Sequence, residues 1–225
     1  MKHPYQDLTP DVVLDALSAL GLPVDGRMSA LSSYENRVYQ VMLDDAEPVV
    51  VKIYRPGRWT DAQIQEEHAF TAEMVAEELP VVGPLTFQGR TLHEVHTQGE
   101  TGPQRFVFSV SPRRGGRWPE LDDPEVLNWI GRFLARIHLV GARDTFKARP
   151  ALNVDTFGWD SLQWLQENQA IALEVEATWL SVCREALGLA QAALAAFPMA
   201  LLRLHGDCHP GNILWTPVEQ ANGGP

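Results

Sequence analysis

Disulfide chemistry is nearly absent from this sequence: its 225 residues carry two cysteines, Cys183 and Cys208. That excludes a disulfide-built secreted scaffold and makes a reducing cytoplasm the expected compartment. Positive charge is scarce too. There are 18 Lys and Arg against 29 Asp and Glu, for a net charge of −11. This excludes a general affinity for nucleic acid or anionic membrane, while a cationic substrate stays compatible. Residues 1–7 hold no apolar run of the kind that marks a secretory signal. The longest apolar stretch, residues 186–202, is interrupted by Gln191 and Pro198 and diluted by alanine. It is expected to form a buried helix and not a membrane span. The sequence also lacks a G-x-G-x-x-G loop, a Walker A motif and a G-x-S-x-G nucleophile elbow.

What is present has the composition of an ordinary folded protein, 45% hydrophobic and 21% charged, long enough for one large domain or two lobes. Thr9, Pro10 and Gly21 mark the start and end of a first helix, with Val13, Leu17 and Leu20 on one face. Residues 37–43 are β-prone, 44–48 form a turn, and Val49-Val50-Val51-Lys52-Ile53-Tyr54 is a buried strand with one charge. Thr60 and Gln63 have capping-box spacing for a helix whose Ile64, His68, Val75 and Leu79 line one side. Residues 81–87, 91–95 and 105–110 are further strand candidates. A Pro-, Gly- and Arg-rich connector follows at 111–119, with Arg113, Arg114 and Arg117 on its solvated face. Beyond it Leu127, Ile130, Leu134 and Ile137 repeat at helical spacing, and 170–197 is helical. The expected fold class is α+β and bilobal: a β-rich N-lobe over residues 1–110, then a connector and partial helical C-lobe over 111–225.

Chemistry concentrates in His205-Gly206-Asp207-Cys208-His209-Pro210-Gly211-Asn212. A His two residues before an Asp, and an Asn five after it, is the spacing of a kinase catalytic loop. An ionised carboxylate at Asp207 suits acceptance of a hydroxyl proton, and the amide oxygen of Asn212 suits magnesium. His205, Cys208 and His209 have no second Cys/His pair at zinc-finger spacing, so His205 is expected to brace the loop.

Lys52 is the second notable residue. Alone it is an edge-strand or snorkelling lysine. Glu67, in the capped helix that follows, makes a strand-lysine to helix-glutamate pair, the arrangement that holds a lysine against the α- and β-phosphates. The adjacent Glu66 can take the same role. Ser32 to Tyr39 occupies the place of a nucleotide-covering hairpin, though by itself it reads as a polar turn.

Taken in order, these segments resemble the aminoglycoside phosphotransferase/choline kinase branch of the kinase-like fold. In that branch the loop reads H-G-D-x-H-x-x-N, as from His205 to Asn212, and a helix ends as Leu134-Ala135-Arg136-Ile137-His138 does. The likeness is carried further by Ser33-Tyr34-Glu35-Asn36-Arg37-Val38-Tyr39-Gln40, Val50-Val51-Lys52-Ile53-Tyr54-Arg55-Pro56 and Glu66-Glu67-His68. The resemblance implies a cytoplasmic, ATP-dependent kinase of protein serine and threonine that acts in survival under stress. It implies Asp207 as proton acceptor, Asn212 as Mg2+ ligand, Ser33 as an ATP contact and Lys52 as the phosphate-binding lysine, with ATP and Mg2+ as cofactors. The alternatives are a small-molecule kinase acting on an aminoglycoside, choline or homoserine hydroxyl, and a non-catalytic nucleotide-binding fragment. The family continues with a strand carrying a second magnesium Asp. Here residues 215–225 contain no Asp, only Glu219 in a turn-like tail. The expectation is therefore a truncated C-lobe and a chain that does not transfer phosphate by itself.

Overall fold

Thr9 opens the first helix, its hydroxyl accepting the Val12 N–H at 3.4 Å, and Pro10 fills the first turn where no amide donor is needed. In the computed structural model, which describes residues 4–99, 102–197 and 199–216, this helix is α1 (Pro10–Ala19). Gly21, at φ +87°, turns the chain out of it in a conformation that costs glycine little. Five strands follow: β1 (Val24–Leu31), β2 (Arg37–Leu43), β3 (Ala46–Ile53), β4 (His93–Gly99) and β5 (Gly102–Pro112). They pair antiparallel in the order β1-β2-β3-β5-β4. Alternation along β3 sends Val49, Val51 and Ile53 into a core shared with Val13 and Leu17 of α1, Val41 and Leu43 of β2, and Phe106, Phe108 and Val110 of β5. Lys52 lies on the other face, paired in register with Val38 on one side and Ser109 on the other.

The chain separates into two compact units, residues 1–141 with 204–225, and residues 142–203. The first holds the sheet, α1, α2 (Asp61–Ala76), α3 (Pro124–Gly141) and the 205–212 loop. The second holds a π-helical turn, Asp155–Trp159, running into α4 (Asp160–Glu167), and then α5 (Glu176–Ala195). A Cβ on Gly158 would come within 2.4 Å of Leu187, so glycine lets the turn approach α5.

Several elements depart from the pattern of the sequence. Strand β1 carries Asp25-Gly26-Arg27 and a register shift between Val24 and Met28, so it lacks alternation. The expected turn at 44–48 shrinks to Asp44 and Asp45, the latter at φ +51°, and β3 begins at Ala46. Residues 81–87 form no named strand, since Pro80 and Pro84 offer no ladder donor; Leu85 donates to Val110 of β5 at 2.7 Å and Phe87 to Arg90 at 2.9 Å. Leu127 and Val75 are half exposed, and Val126, Ile137 and Val140 make the buried stripe of α3. The apolar run 186–202 is not buried: α5 buries Leu180 alone, and Leu189, Leu194 and Leu201 face solvent. Among the described residues no helix is long and apolar enough to cross a membrane.

Candidate active site

Two side chains of opposite charge meet where β3 passes under α2. Helix α2 starts from a complete capping box, in which Thr60 Oγ1 accepts the Gln63 N–H and Gln63 Oε1 accepts the Thr60 N–H. This sets the rotation that turns Glu67 toward the sheet. Lys52 Nζ lies 3.1 Å from Glu67 Oε1 and 4.7 Å from the centroid of the Tyr54 ring. Glu67 makes this contact. Both partners are about one-third exposed (35% and 33%), and such a pair contributes about 0–1 kcal/mol.

Stronger ties hold α2 to the sheet. His68, next to Glu67, is buried with Nε2 2.8 Å from Tyr54 Oη and Nδ1 2.8 Å from Thr91 Oγ1, and Tyr54 Oη is 3.2 Å from Ser109 Oγ. Each buried bond of this type adds about 0.5–1.5 kcal/mol, and orphaning a partner costs about 1–3 kcal/mol. At the start of α2, Arg105 of β5 donates to both oxygens of Asp61, at 3.1 and 2.6 Å, and to Glu94 at 2.6 Å. Hydrogen bonds from its guanidinium hold both carboxyls below their usual range, and the same bonds push Arg105 up. At the far end, Arg136 of α3 donates to the Glu77 and Glu78 carbonyls at 2.9 and 3.3 Å, which α2 itself leaves without partners.

Ser33 lies in the β1–β2 turn, half-buried, one residue before the fully exposed Tyr34. The turn is latched. Glu35 accepts from Arg58 Nε at 2.9 Å and Trp59 Nε1 at 3.1 Å, Asn36 Oδ1 accepts the Arg55 N–H at 3.2 Å, and the Tyr5 hydroxyl donates to the Glu35 carbonyl at 3.0 Å. Nothing in the sequence signals this latch. Its partners stand 19 to 30 residues apart, with no periodicity that links them.

The loop from His205 to Asn212 is held by its own backbone. Gly206 sits at φ +82°, which glycine takes without steric cost, and the turn aims Asp207 outward. His205 Nδ1 accepts the Asp207 N–H at 3.3 Å, and His209 Nδ1 accepts the Gly211 N–H at 3.1 Å. Pro210–Asn212 forms one 3-10 turn. Asn212 Nδ2 donates to the Asp207 carbonyl at 2.8 Å and to Asp207 Oδ2 at 3.1 Å. Asn212 keeps its amide oxygen, and Asp207 its Oδ1, outside these two bonds. These are two hard donors of the kind a divalent ion takes, with phosphate oxygens and water to complete its shell. Among the described residues no three His, Cys, Asp or Glu side chains gather into a fuller metal site; Glu219 lies outside the described residues. After the loop, Arg117 and Trp215 exchange N–H to carbonyl bonds at 2.9 and 2.8 Å. Gly116 comes so close to Leu214 that a Cβ would sit 2.9 Å from its backbone. The structure thus brings Lys52 to Glu67 and Asp207 to Asn212, and places Ser33 on a separate turn of the same unit.

The sequence model of the phosphotransferase enzyme family matches residues 27–224. Stress response kinase A of Escherichia coli (strain K12) is 37% identical over 98% of this chain and 66% of its own length. The serine/threonine protein kinase RdoA of Salmonella typhimurium (strain LT2) is 36% identical over the same shares. The chain thus spans just under two thirds of the length of these relatives. Among solved structures, a microcompartment-associated aminopropanol kinase superposes with a TM-score of 0.52 at 20% identity, over 68% of this chain and 49% of its own. The amicoumacin kinase hAmiN, in complex with AMP-PNP, Ca2+ and Ami, superposes with a TM-score of 0.51 at 18% identity, over 61% and 42%. At these identities the likeness shows a shared kinase-like α+β fold.

Proposed function

Because the chain belongs to the phosphotransferase enzyme family, we propose that it binds MgATP in its sheet-bearing unit and serves transfer of the γ-phosphoryl group to a serine or threonine hydroxyl of a protein in the cytoplasm. The observation that carries this reading is the Asp207–Asn212 pair, a carboxylate and an amide tied by a hydrogen bond within one loop. In this scheme Lys52, oriented by Glu67, neutralises the α- and β-phosphates, and the β1–β2 turn with Ser33 covers them. Asn212 holds the metal through its amide oxygen. When bound, the magnesium would supply charge neutralisation at the phosphates. Asp207, hydrogen-bonded at one oxygen, keeps the other for the proton of the attacking hydroxyl. The protein acceptor and the stress role rest on the names of the relatives. Two free cysteines among the described residues support a reducing compartment.

A small cationic alcohol is the second acceptor class, favoured by the net charge of −11. The test is transfer of labelled γ-phosphate by a protein carrying these residues at the full length of the relatives, with a serine/threonine-rich protein in one arm and aminoglycoside, choline and homoserine in the other. Asp207→Asn is expected to keep MgATP binding and lower transfer by roughly 10²–10⁴-fold, the usual weight of a general base. Equal transfer by Asp207→Asn and the parent protein would remove Asp207 from this role, and transfer to the small alcohols alone would overturn the protein acceptor.

A further inference from the structure

The Lys52–Glu67 pair does not fix its own geometry. Both side chains are long and one-third exposed, and such pairs are held weakly in water. Two buried neighbours stand behind it. Tyr54 is two residues after Lys52 and so projects to the same face of the sheet, with its ring under the lysine ammonium. His68 is the residue after Glu67 on α2. Tyr54 Oη and His68 Nε2 are 2.8 Å apart, and the chain of contacts continues to Ser109, the register partner of Lys52, and to Thr91 before β4. Each member of the exposed ion pair is thus tied, through the adjacent backbone, to one member of a buried polar relay.

We propose that Tyr54 is a positioning residue for Lys52: its ring holds the ammonium, and its hydroxyl, bridging His68 and Ser109, fixes the spacing of β3 and α2 at which Lys52 meets Glu67. The inference rests on the assignment of Lys52 as the phosphate-binding lysine and assigns the residue that aims it. The phenol has one proton, so it donates to one of its two neighbours and accepts from the other. Loss of the hydroxyl therefore leaves a buried acceptor or donor unpaired on α2 or on β5 and loosens the spacing. Loss of the ring also removes the surface on which the ammonium rests.

The test compares Tyr54→Phe, Tyr54→Leu and Ser109→Ala with Lys52→Met in the 225-residue chain. Three quantities are read: the Kd for MgATP, the rate at which an adenosine 5′-sulfonyl fluoride labels Lys52, and the melting temperature. Tyr54→Phe and Ser109→Ala should raise the Kd and slow labelling by roughly three- to tenfold, and Tyr54→Leu by about tenfold or more. A merely structural tyrosine would lower the melt and leave the labelling rate of the folded protein unchanged, and that outcome overturns the proposal. Should Tyr54→Leu fail to fold, the two milder variants decide the matter by the same criteria. If Lys52→Met binds MgATP as tightly as the parent, the lysine assignment itself falls and the positioning role falls with it. If Lys52→Met fails to bind while every relay variant behaves as the parent, only the Tyr54 inference is overturned.

Discussion

Tyr5 shows how one side chain ties a terminus to the turn that carries Ser33. Its ring stacks on Phe106 at 6.3 Å, Arg37 lies over it at 5.1 Å, and its hydroxyl donates to the Glu35 carbonyl. Burial pushes the phenol up to about 12 from its ordinary value of 10. A raised phenol binds its proton more tightly in the folded state. Its contribution is therefore complete below pH 10 and is lost as pH rises toward about 12. Tyr5→Phe should flatten that alkaline loss in a denaturant series run from pH 9 to pH 12. An unchanged slope would show that the phenol does not titrate with folding. At the same scale, Gly206→Ala forces an L side chain to φ +82°, so a cost of about 1 kcal/mol and a displaced Asp207 are expected. Chemical denaturation checks the first, and the loss of phosphate transfer at retained MgATP affinity checks the second. The motif residues were legible because their spacing is local: His205, Asp207 and Asn212 lie within one loop. Glu35, Arg58 and Trp59 were not, because only the folded turn brings them together.

Helix α2 is the element on which the nucleotide side of the site depends, and it is fastened at its start, middle and end by Arg105, His68 and Arg136. The Arg105 clamp has a pH signature. Asp61 and Glu94 are both held low, chiefly by hydrogen bonds from Arg105, so the unfolded chain takes up protons first as pH falls. The clamp's stabilisation is present above the ordinary carboxylate range, near pH 4, and disappears as pH falls below it through the depressed values. Arg105→Met should lower the melting temperature by about 1–4 °C at pH 7, a magnitude set by exposed pairs. The gap between the two proteins should close near pH 2; a constant gap would assign the loss to packing. The sequence marked α2 well, since Thr60 and Gln63 are a local signal. Strand β1 has no local signal in the sequence, and the stretch from 81 to 87 reads as a strand it does not form, because pairing with a neighbour overrides local composition. Val24–Leu31 is a strand by virtue of β2 beside it, and Pro80 and Pro84 deny the apolar residues around them a ladder.

At the scale of the molecule, the α+β class followed from hydrophobic periodicity, but the burial of particular faces did not. The 142–203 unit leaves Phe157, Trp164, Leu173, Val182 and Leu189 exposed. Periodicity identifies an apolar face and says nothing of what covers it. This chain is therefore expected to bind ANS strongly and to self-associate as its concentration rises. Val182→Lys with Leu189→Lys, two turns apart on α5, should lower both the ANS signal and the sedimentation coefficient at high concentration. Unaltered ANS binding would place the sticky surface elsewhere.

The bonds between Arg117 and Trp215 also bear on the order of folding. The β1-β2-β3 meander and the β4–β5 hairpin close over a few residues each, whereas the bridge after the catalytic loop joins positions about a hundred residues apart. Closing a span of that length costs about 2–3 kcal/mol more chain entropy than closing a hairpin. Translation compounds the delay, because Trp215 leaves the ribosome long after β5 is complete. A newly made chain thus holds a finished sheet, with Lys52 already facing Glu67, during an interval in which Asp207 still hangs on an undocked strand.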